Sequence, residues 1–253
     1  MINNKNGFYI MTHIMLGEFF GTLILILFGG GVGANGVLKE TKGYQSGWIV
    51  IATGWFVAVC LGVFVARAAG APGAEINPAV SVAKYLLGYS SITSTMYIIM
   101  AQLLGAFCGA ILVWLAYYPH WRITPDPALK RQVFCTEPAI RHYPCNLLIE
   151  VIGTATLVFC VGAIFGRANI HHPASGLGPY LVGVIVWGIG LSLGGRTGYA
   201  INPARDLGPR IAHAILPIAG KGHSDWRYAW VPIIGPFIGA VVGAIGWKLI
   251  FGA

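Results

Sequence analysis

Charged residues are scarce in this sequence. Only 9% of its 253 residues are Asp, Glu, Lys or Arg, whereas 56% are hydrophobic. Soluble domains have about 25% charged residues. A water-soluble fold of this length could not cover its surface with so few charges, so we predict an integral membrane protein with roughly one domain's length.

Other absences exclude further classes of protein. The net charge is +8, but the basic residues form no patch interleaved with aromatic residues, so no nucleic-acid partner is expected. The start of the chain has no basic region leading into a cleavable apolar segment, and no signal peptide is predicted. There is no CxxC or Cys/His ligand spacing, and the adjacent His171 and His172 cannot build a metal site by themselves. We therefore expect no metal and no cofactor.

The chain has five cysteines, and two of them are of interest. Cys135 and Cys145 lie near the ends of a polar loop. They could form a disulfide if the loop faces an oxidising compartment, or remain two unpaired thiols. The other three lie in apolar runs and are interpreted as small core residues.

Long apolar runs dominate the sequence. A helix that spans a membrane needs about 20 apolar residues. Six segments meet or approach this length, at about 14–35, 47–66, 95–118, 146–166, 178–194 and 229–251. Two further apolar segments, 73–87 and 198–216, are too short to cross and are predicted to be re-entrant, with their irregular backbone buried in protein or lining a water-filled cavity.

The two halves of the chain repeat each other. Leu16–Thr22 matches Leu148–Thr154, and Asn77-Pro78-Ala79 matches Asn202-Pro203-Ala204. Each half contains a span, a span, a short segment and a span, so it crosses the membrane an odd number of times. The second half must then enter upside down, as an inverted repeat.

This pattern predicts a single channel domain over residues 1–253. Its first repeat covers about 12–118 and its second about 146–251, joined by an extramembrane loop at 119–145 that holds five prolines. Inverted repeats place their functional site where the two short segments meet near the membrane midplane.

The two Asn-Pro-Ala (NPA) motifs have the chemistry of helix starts. Asn is a strong N-cap residue and Pro is favoured at the first helical position. Two such starts in oppositely oriented halves would present their positive dipole ends at the membrane centre. The amide N–H groups of Asn77 and Asn202 could then donate to a passing water or hydroxyl, while the positive midpoint opposes cations and protons.

These motifs resemble the aquaporin and glycerol-facilitator family over nearly all of the chain, from about Leu16 to Leu249. The resemblance rests on GEFFGT, GAEINPAV, GYAINPARDLGPR and WVPIIGPFIGAVVGA. It implies an all-α membrane fold of six transmembrane helices and two half-helices, with a pore in each subunit of a homotetramer. It also implies a cell-membrane location with cytoplasmic N and C termini, although the charge distribution alone favours the opposite orientation.

The resemblance also implies a selectivity filter. Arg205 resembles the family's filter arginine, and Tyr199 and Trp55 resemble its two filter aromatics. Gly190 stands where water-selective members have a histidine, and it would leave room for the carbon atoms of a polyol. Two aromatics and an arginine form a slot with one apolar wall and one donor-rich wall, which suits a linear polyol.

The segment before the first NPA motif departs from the family pattern. Family members usually have His two residues before the asparagine, where this chain has Glu75. We predict that Glu75 faces the cytoplasmic vestibule, either modulating conductance with pH or acting as a hydrogen-bonding substitute. The loop at 67–73 is longer than usual, so the assignment of Trp55 has Phe56 and Trp48 as alternatives.

Four residues favour the glycerol branch of the family, namely Asp206, Arg210, Pro232 and Ile233. Water-selective members typically have small residues at the first two positions and an aromatic near the last. Asp206 and Arg210 also have the spacing of an i,i+4 helix pair, and both interpretations can hold together.

Glu18 and Glu150 are carboxylates inside apolar spans, where a charge is expensive and indicates a function. The resemblance implies that each accepts hydrogen bonds that hold a re-entrant loop. The alternative is a proton-relay pair in a transporter.

We therefore predict a passive channel for glycerol, other small neutral solutes and water that excludes ions and protons. The alternatives are a water-selective aquaporin, which Gly190 and Asp206 disfavour, and a secondary transporter with broken helices. A membrane enzyme is not expected, because no motif pairs a nucleophile with a base.

Overall fold

The computed structural model describes residues 4–166, 173–174 and 176–252, and His171 and His172 lie outside this described part. The regular structure of these residues is helical and contains no strand. The helices are α1 (Asn4–Val37), α2 (Trp48–Ala68), α3 (Pro78–Leu86), α4 (Ile92–Ala116), α5 (Tyr118–Ile123), α6 (Pro127–Gln132), α7 (Tyr143–Phe165), α8 (Leu177–Ser192), α9 (Pro203–Ile215) and α10 (Val231–Phe251).

Five of these helices, α1, α2, α4, α7 and α10, are long and apolar enough to cross a membrane. The sixth predicted span corresponds to α8, which is apolar but only 16 residues long in the described part. The span predicted at about 178–194 extends two residues beyond α8, which ends at Ser192 and is followed by a 3₁₀ turn over Gly194–Arg196.

Three helices, α1, α4 and α7, begin before the spans predicted at about 14–35, 95–118 and 146–166. Helix α1 begins at Asn4 rather than near residue 14, since helical structure continues beyond the apolar run. Helix α7 begins at Tyr143 rather than 146, because the side chain of His142 caps it through Nδ1, which accepts from the backbone N–H of Cys145 at 3.3 Å.

Close helix contacts in the two halves use glycine at matching places. Helix α4 packs against α1, and a Cβ on Gly105 would lie only 2.2 Å from the carbonyl oxygen of Phe19. Helix α10 packs against α7, and a Cβ on Gly239 would lie 2.5 Å from the carbonyl oxygen of Val151. Only glycine lets these backbones approach so closely, as is common between membrane helices.

The half-helices α3 and α9 interlock the two halves of the chain. Helix α3 packs mainly against α10, which belongs to the C-terminal half, and α9 packs mainly against α4 from the N-terminal half. Their N-terminal ends lie together inside the bundle, where Pro78, Ala79, Pro203 and Ala204 are all buried.

The segment predicted as a loop at 119–145 is partly helical. It contains most of α5 and all of α6, and the side chain of Asp126 caps α6 by accepting from the N–H of Ala128 at 2.8 Å. Beyond α6, Val133 to Cys135 are buried. This brings the middle of the segment against Arg205 and Asp206 of α9.

Candidate pore

The two NPA motifs cap their half-helices as the residue types suggest. The Asn77 side chain accepts from the N–H of Ala79 at 2.9 Å, and the Asn202 side chain accepts from the N–H groups of Ala204 at 3.0 Å and Arg205 at 3.2 Å. Capping occupies each amide oxygen. It therefore orients each amide nitrogen away from its own helix.

Each asparagine also bonds to the opposite half of the chain. Nδ2 of Asn77 donates to the carbonyl oxygen of Ile201 at 2.8 Å, and Nδ2 of Asn202 donates to the carbonyl oxygen of Ile76 at 2.8 Å. Each of these reciprocal bonds uses one of the two N–H groups of an Asn amide, and the second N–H group remains available. Both asparagines line the same cavity, so the remaining donors lie beside an open space.

Glu18 holds the loop before α3. Its carboxylate accepts from the backbone N–H groups of Glu75 and Ile76, both at 2.7 Å, and from Nε2 of Gln102 at 2.8 Å. Ile76 has a φ of 44°, a conformation that non-glycine residues rarely adopt. The buried carboxylate pairs the N–H groups that this backbone shape leaves without helix or sheet partners.

Glu150 makes the same kind of contact with the loop before α9. It accepts from the N–H groups of Ala200 at 3.0 Å and Ile201 at 2.9 Å, and from Oγ1 of Thr197 at 2.7 Å. Ile201 has a φ of 41°, matching Ile76 in the first half. Glu18 and Glu150 are each 1% exposed, so neither carboxylate faces an aqueous path.

Two cavities lie along the bundle. The first, which we call the NPA cavity, has a volume of about 280 Å³ and is lined by Asn77, Asn202, Glu75 and apolar residues of α2, α7 and α8. The second, the loop cavity, has a volume of about 220 Å³ and is lined by glycines of α1 and by residues 132–133 and 135–139.

The two cavities have three lining residues in common: Trp55, Tyr199 and Arg205. These residues therefore stand at the junction through which a solute would pass from one cavity to the other. The guanidinium carbon of Arg205 lies 4.1 Å from the centroid of the Trp55 ring, within cation–π distance.

The Arg205 guanidinium keeps donors available at this junction. Its side chain donates from Nη1 to the carbonyl oxygen of Phe134 at 3.5 Å, and this is its only hydrogen bond among the described residues. A guanidinium has five N–H donors in a fixed fork. Most of them are free to bind a passing oxygen atom.

The geometry distinguishes Trp55 from its two alternatives. Phe56 lines neither cavity and stacks on Trp187, with the ring centroids 5.4 Å apart. Trp48 lines the loop cavity alone, where its Nε1 donates to the carbonyl oxygen of Gly190 at 2.9 Å. Of the three rings, Trp55 lies against Arg205.

Gly190 occupies a different place from the one expected. It lines neither cavity, and the space beside it is filled by Tyr199 rather than left open. A Cβ on Gly190 would lie 2.8 Å from Cζ of Tyr199. Gly190 therefore acts indirectly, because its lack of a side chain lets the Tyr199 ring lie back against α8.

Asp206 and Arg210 form an ion pair, 2.7 Å between Oδ1 and Nε, with both side chains fully buried. Asp206 Oδ2 also accepts from the N–H and the hydroxyl of Thr136, and Arg210 Nη1 donates to the carbonyl oxygen of Ser224. This i,i+4 pair therefore also fixes two loops next to Arg205.

The other two glycerol-branch residues, Pro232 and Ile233, lie away from the junction. Pro232 is buried in the first turn of α10, and neither it nor Ile233 lines either of the two cavities.

Cys135 and Cys145 are free cysteines, which favours the unpaired alternative. Cys135 is 1% exposed, and burial raises the pKa of its thiol.

Two features of this region were not predicted from the sequence. Lys84, in the last turn of α3, forms an ion pair with Glu75, with 3.1 Å between Nζ and Oε1. The segment around Phe134 and Thr136 contacts Arg205 and Asp206. Neither contact follows from sequence spacing, although Lys84 is a rare charge in an apolar segment and could have been noticed for that reason.

Comparisons with known proteins identify the family of this chain. The profile of the Major intrinsic protein family matches residues 9–247. The chain is 54% identical over 238 residues to a probable glycerol uptake facilitator protein of Thermotoga maritima, covering 94% of this chain and 99% of that protein. It is 47% identical to the glycerol uptake facilitator protein of Bacillus subtilis, covering 93% and 84%.

A solved structure has the same architecture. The aquaglyceroporin from Plasmodium falciparum superposes with a TM-score of 0.80 at 28% identity, covering 95% of this chain and 96% of the other. The chain is a multi-pass integral membrane protein and belongs to the major intrinsic protein family.

Proposed function

We propose that this protein is a passive channel that conducts glycerol, other small neutral solutes and water, and excludes ions and protons. The observation that supports this most is the junction of Trp55, Tyr199 and Arg205 between two cavities. The names of the relatives from Thermotoga maritima and Bacillus subtilis point to the same permeant.

The junction suits a polyol because its walls differ in chemistry. The rings of Trp55 and Tyr199 provide apolar contact for the CH groups, and Arg205 provides donors for the hydroxyl oxygens. Beyond the junction, Asn77 and Asn202 each have an N–H left for the next oxygen. A permeant thus exchanges its water partners for protein donors in sequence, as selective pores require.

The same elements disfavour cations. The half-helices α3 and α9 direct their N-terminal ends, which have partial positive charge, at the centre of the bundle. The fixed charge of Arg205 adds to this barrier. Glu18 and Glu150 serve as loop supports rather than as a proton relay, since their oxygens are occupied by backbone and side-chain donors.

We further propose that the chain is one inverted-repeat channel domain, with repeats at about 12–118 and 146–251 and a connection at 119–145. Matching contacts support the repeat: Glu18 corresponds to Glu150, and the bond from Asn77 corresponds to the bond from Asn202. The channel would be a homotetramer in the cell membrane, with both termini in the cytoplasm and a lipid bilayer around it.

Flux into proteoliposomes tests the proposal against a secondary transporter. A channel takes up glycerol with a low activation energy, and an imposed proton or sodium gradient does not change the rate. Uptake that follows an ion gradient, or that accumulates glycerol above its external concentration, would identify a transporter instead.

The pH hypothesis for Glu75 has a separate test. If its charge modulates conductance with pH, the pH profile of glycerol permeability for the parent differs from that for Glu75→Gln. Equal profiles for the two proteins would leave Glu75 as a hydrogen-bonding substitute for the usual histidine.

A further inference from the structure

The NPA cavity contains an ion pair that the proposed mechanism of permeation does not use. Glu75 lies two residues before the capping Asn77, and Lys84 lies in the last turn of α3. The Lys84 side chain runs back along the half-helix until Nζ is 3.1 Å from Glu75 Oε1, and both residues line the cavity. Gly73 makes room for this contact, because a Cβ there would lie 2.8 Å from Nζ.

The pair has unused hydrogen-bonding capacity on both sides. The Glu75 side chain is 7% exposed, and its Oε2 is buried with no hydrogen-bond partner among the described residues. An unpaired buried carboxylate oxygen is costly, so a donor is expected there. The ion pair uses one of the three N–H donors of Lys84, and within the described chain its Nζ has no other partner.

The backbone holds the carboxylate in place. The N–H of Glu75 donates to Glu18 Oε1 at 2.7 Å, which fixes this residue against α1. Lys84 is 24% exposed on a long, flexible side chain and can move aside to admit a small group. The site thus combines a fixed acceptor with a mobile donor.

The charge of the cavity indicates which class of ligand fits. Glu75 is the one carboxylate in its described lining, whereas Arg67, Lys84 and Arg205 are cationic. This excess of positive charge would repel a cation, and the Glu75 carboxylate would repel an anion. A neutral molecule with adjacent hydroxyl groups can donate to the carboxylate and accept from the ammonium at the same time.

Building on the proposed function, we propose that Glu75 and Lys84 form a polyol-binding subsite in the NPA cavity. One hydroxyl donates to Glu75 Oε2 and its neighbour accepts from Lys84 Nζ. The subsite holds a polyol next to Asn77 and Asn202 and so raises its local concentration. Water, with no second hydroxyl, gains much less from it.

Equilibrium exchange of labelled glycerol across proteoliposomes tests this subsite. We expect Glu75→Gln and Lys84→Met each to raise the half-saturating glycerol concentration by about ten-fold or more, the effect of losing one charge-assisted hydrogen bond. Water permeability measured in the same vesicles should change by less than about two-fold, since water does not depend on the pair. Glu40→Gln is the matched control, because this exposed carboxylate lines neither cavity.

The other outcomes have distinct meanings. If half-saturation is the same in the parent, Glu75→Gln and Lys84→Met, the subsite does not exist, while the channel proposal stands. If the variants lose water and glycerol permeability in equal proportion, the ion pair only supports α3 and the subsite is again refuted. A parent that exchanges no glycerol contradicts the proposed function itself.

Discussion

Arg205 lies over Trp55, with its guanidinium carbon 4.1 Å from the ring centroid, at the junction of the two cavities. The contact positions the arginine and gives the junction its apolar wall. We expect Trp55→Leu to lower the ratio of glycerol to five-carbon polyol permeability by about five-fold, because a cation–π contact of this kind is worth about 1 kcal/mol or more. Light scattering with each polyol gradient measures the ratio.

Phe56→Leu is the control for that experiment. Phe56 is the next aromatic in the chain, but it packs on Trp187 and lines neither cavity. Its variant should keep the parent's ratio. If the two variants changed the ratio equally, the assignment of Trp55 to the junction would be wrong.

Glu18 is expected to be important for stability rather than for permeation. Replacing it with Ala leaves the N–H groups of Glu75 and Ile76 buried without partners, at about 1–3 kcal/mol each. We expect the thermal unfolding midpoint in detergent to fall, and Glu150→Ala to behave similarly. Glu40→Gln should leave it unchanged. A proton relay would instead leave the midpoint intact and alter ion coupling.

Much of the fold could be predicted from the sequence, because lipid imposes simple rules on length and polarity. The apolar runs, the two short NPA segments and the all-α class followed from the cost of unpaired backbone groups in a bilayer. The family assignment was confirmed by the match over residues 9–247. Helix ends were harder, since α1 extends beyond its apolar run and a side-chain cap sets the start of α7.

The candidate site could be predicted only in part. Trp48, Trp55 and Phe56 all lie on α2, and a shift of one residue turns a side chain by about 100° around a helix. The packing of α2 against its neighbours, including Gly29 of α1 beside the Trp55 ring, decides which ring meets Arg205. The position of Gly190 behind Tyr199 likewise depends on tertiary packing, and so does the reach of Lys84 to Glu75.

Asp206 and Arg210 should be strongly coupled. Asp206→Leu alone leaves the buried Arg210 charge uncompensated, which we expect to lower the free energy of unfolding by about 3–5 kcal/mol. The double variant Asp206→Leu/Arg210→Met should lose less than the sum of the two single variants. Unfolding of the three variants in detergent measures the coupling. Strict additivity would show that the pair has no joint role.

The loop before α10 should be sensitive to acid. Burial raises the pKa of Asp225, but the hydrogen bond and charge of Arg141 outweigh it, so the pKa lies below the ordinary value. The ionised pair therefore stabilises the fold above the ordinary pKa of Asp, and this contribution is lost as the pH falls through the lower, folded-state value. Asp225→Asn should show a flatter dependence of the unfolding midpoint on pH below about 4. Parallel curves of unfolding midpoint against pH for the parent and Asp225→Asn would contradict a stabilising role for the ionised Asp225–Arg141 pair.

The most direct test of the account is stopped-flow light scattering on proteoliposomes, with glycerol and water gradients, for the parent, Gly190→His and Gly188→Ala. A side chain at Gly190 must displace Tyr199 into the junction, whereas a Cβ on Gly188 would meet no atom of another element within 4 Å. We predict fast glycerol uptake by the parent and by Gly188→Ala, a loss of about ten-fold or more in Gly190→His, and surviving water flux in all three. Fast water flux with no glycerol uptake by the parent would identify a water channel and contradict the account.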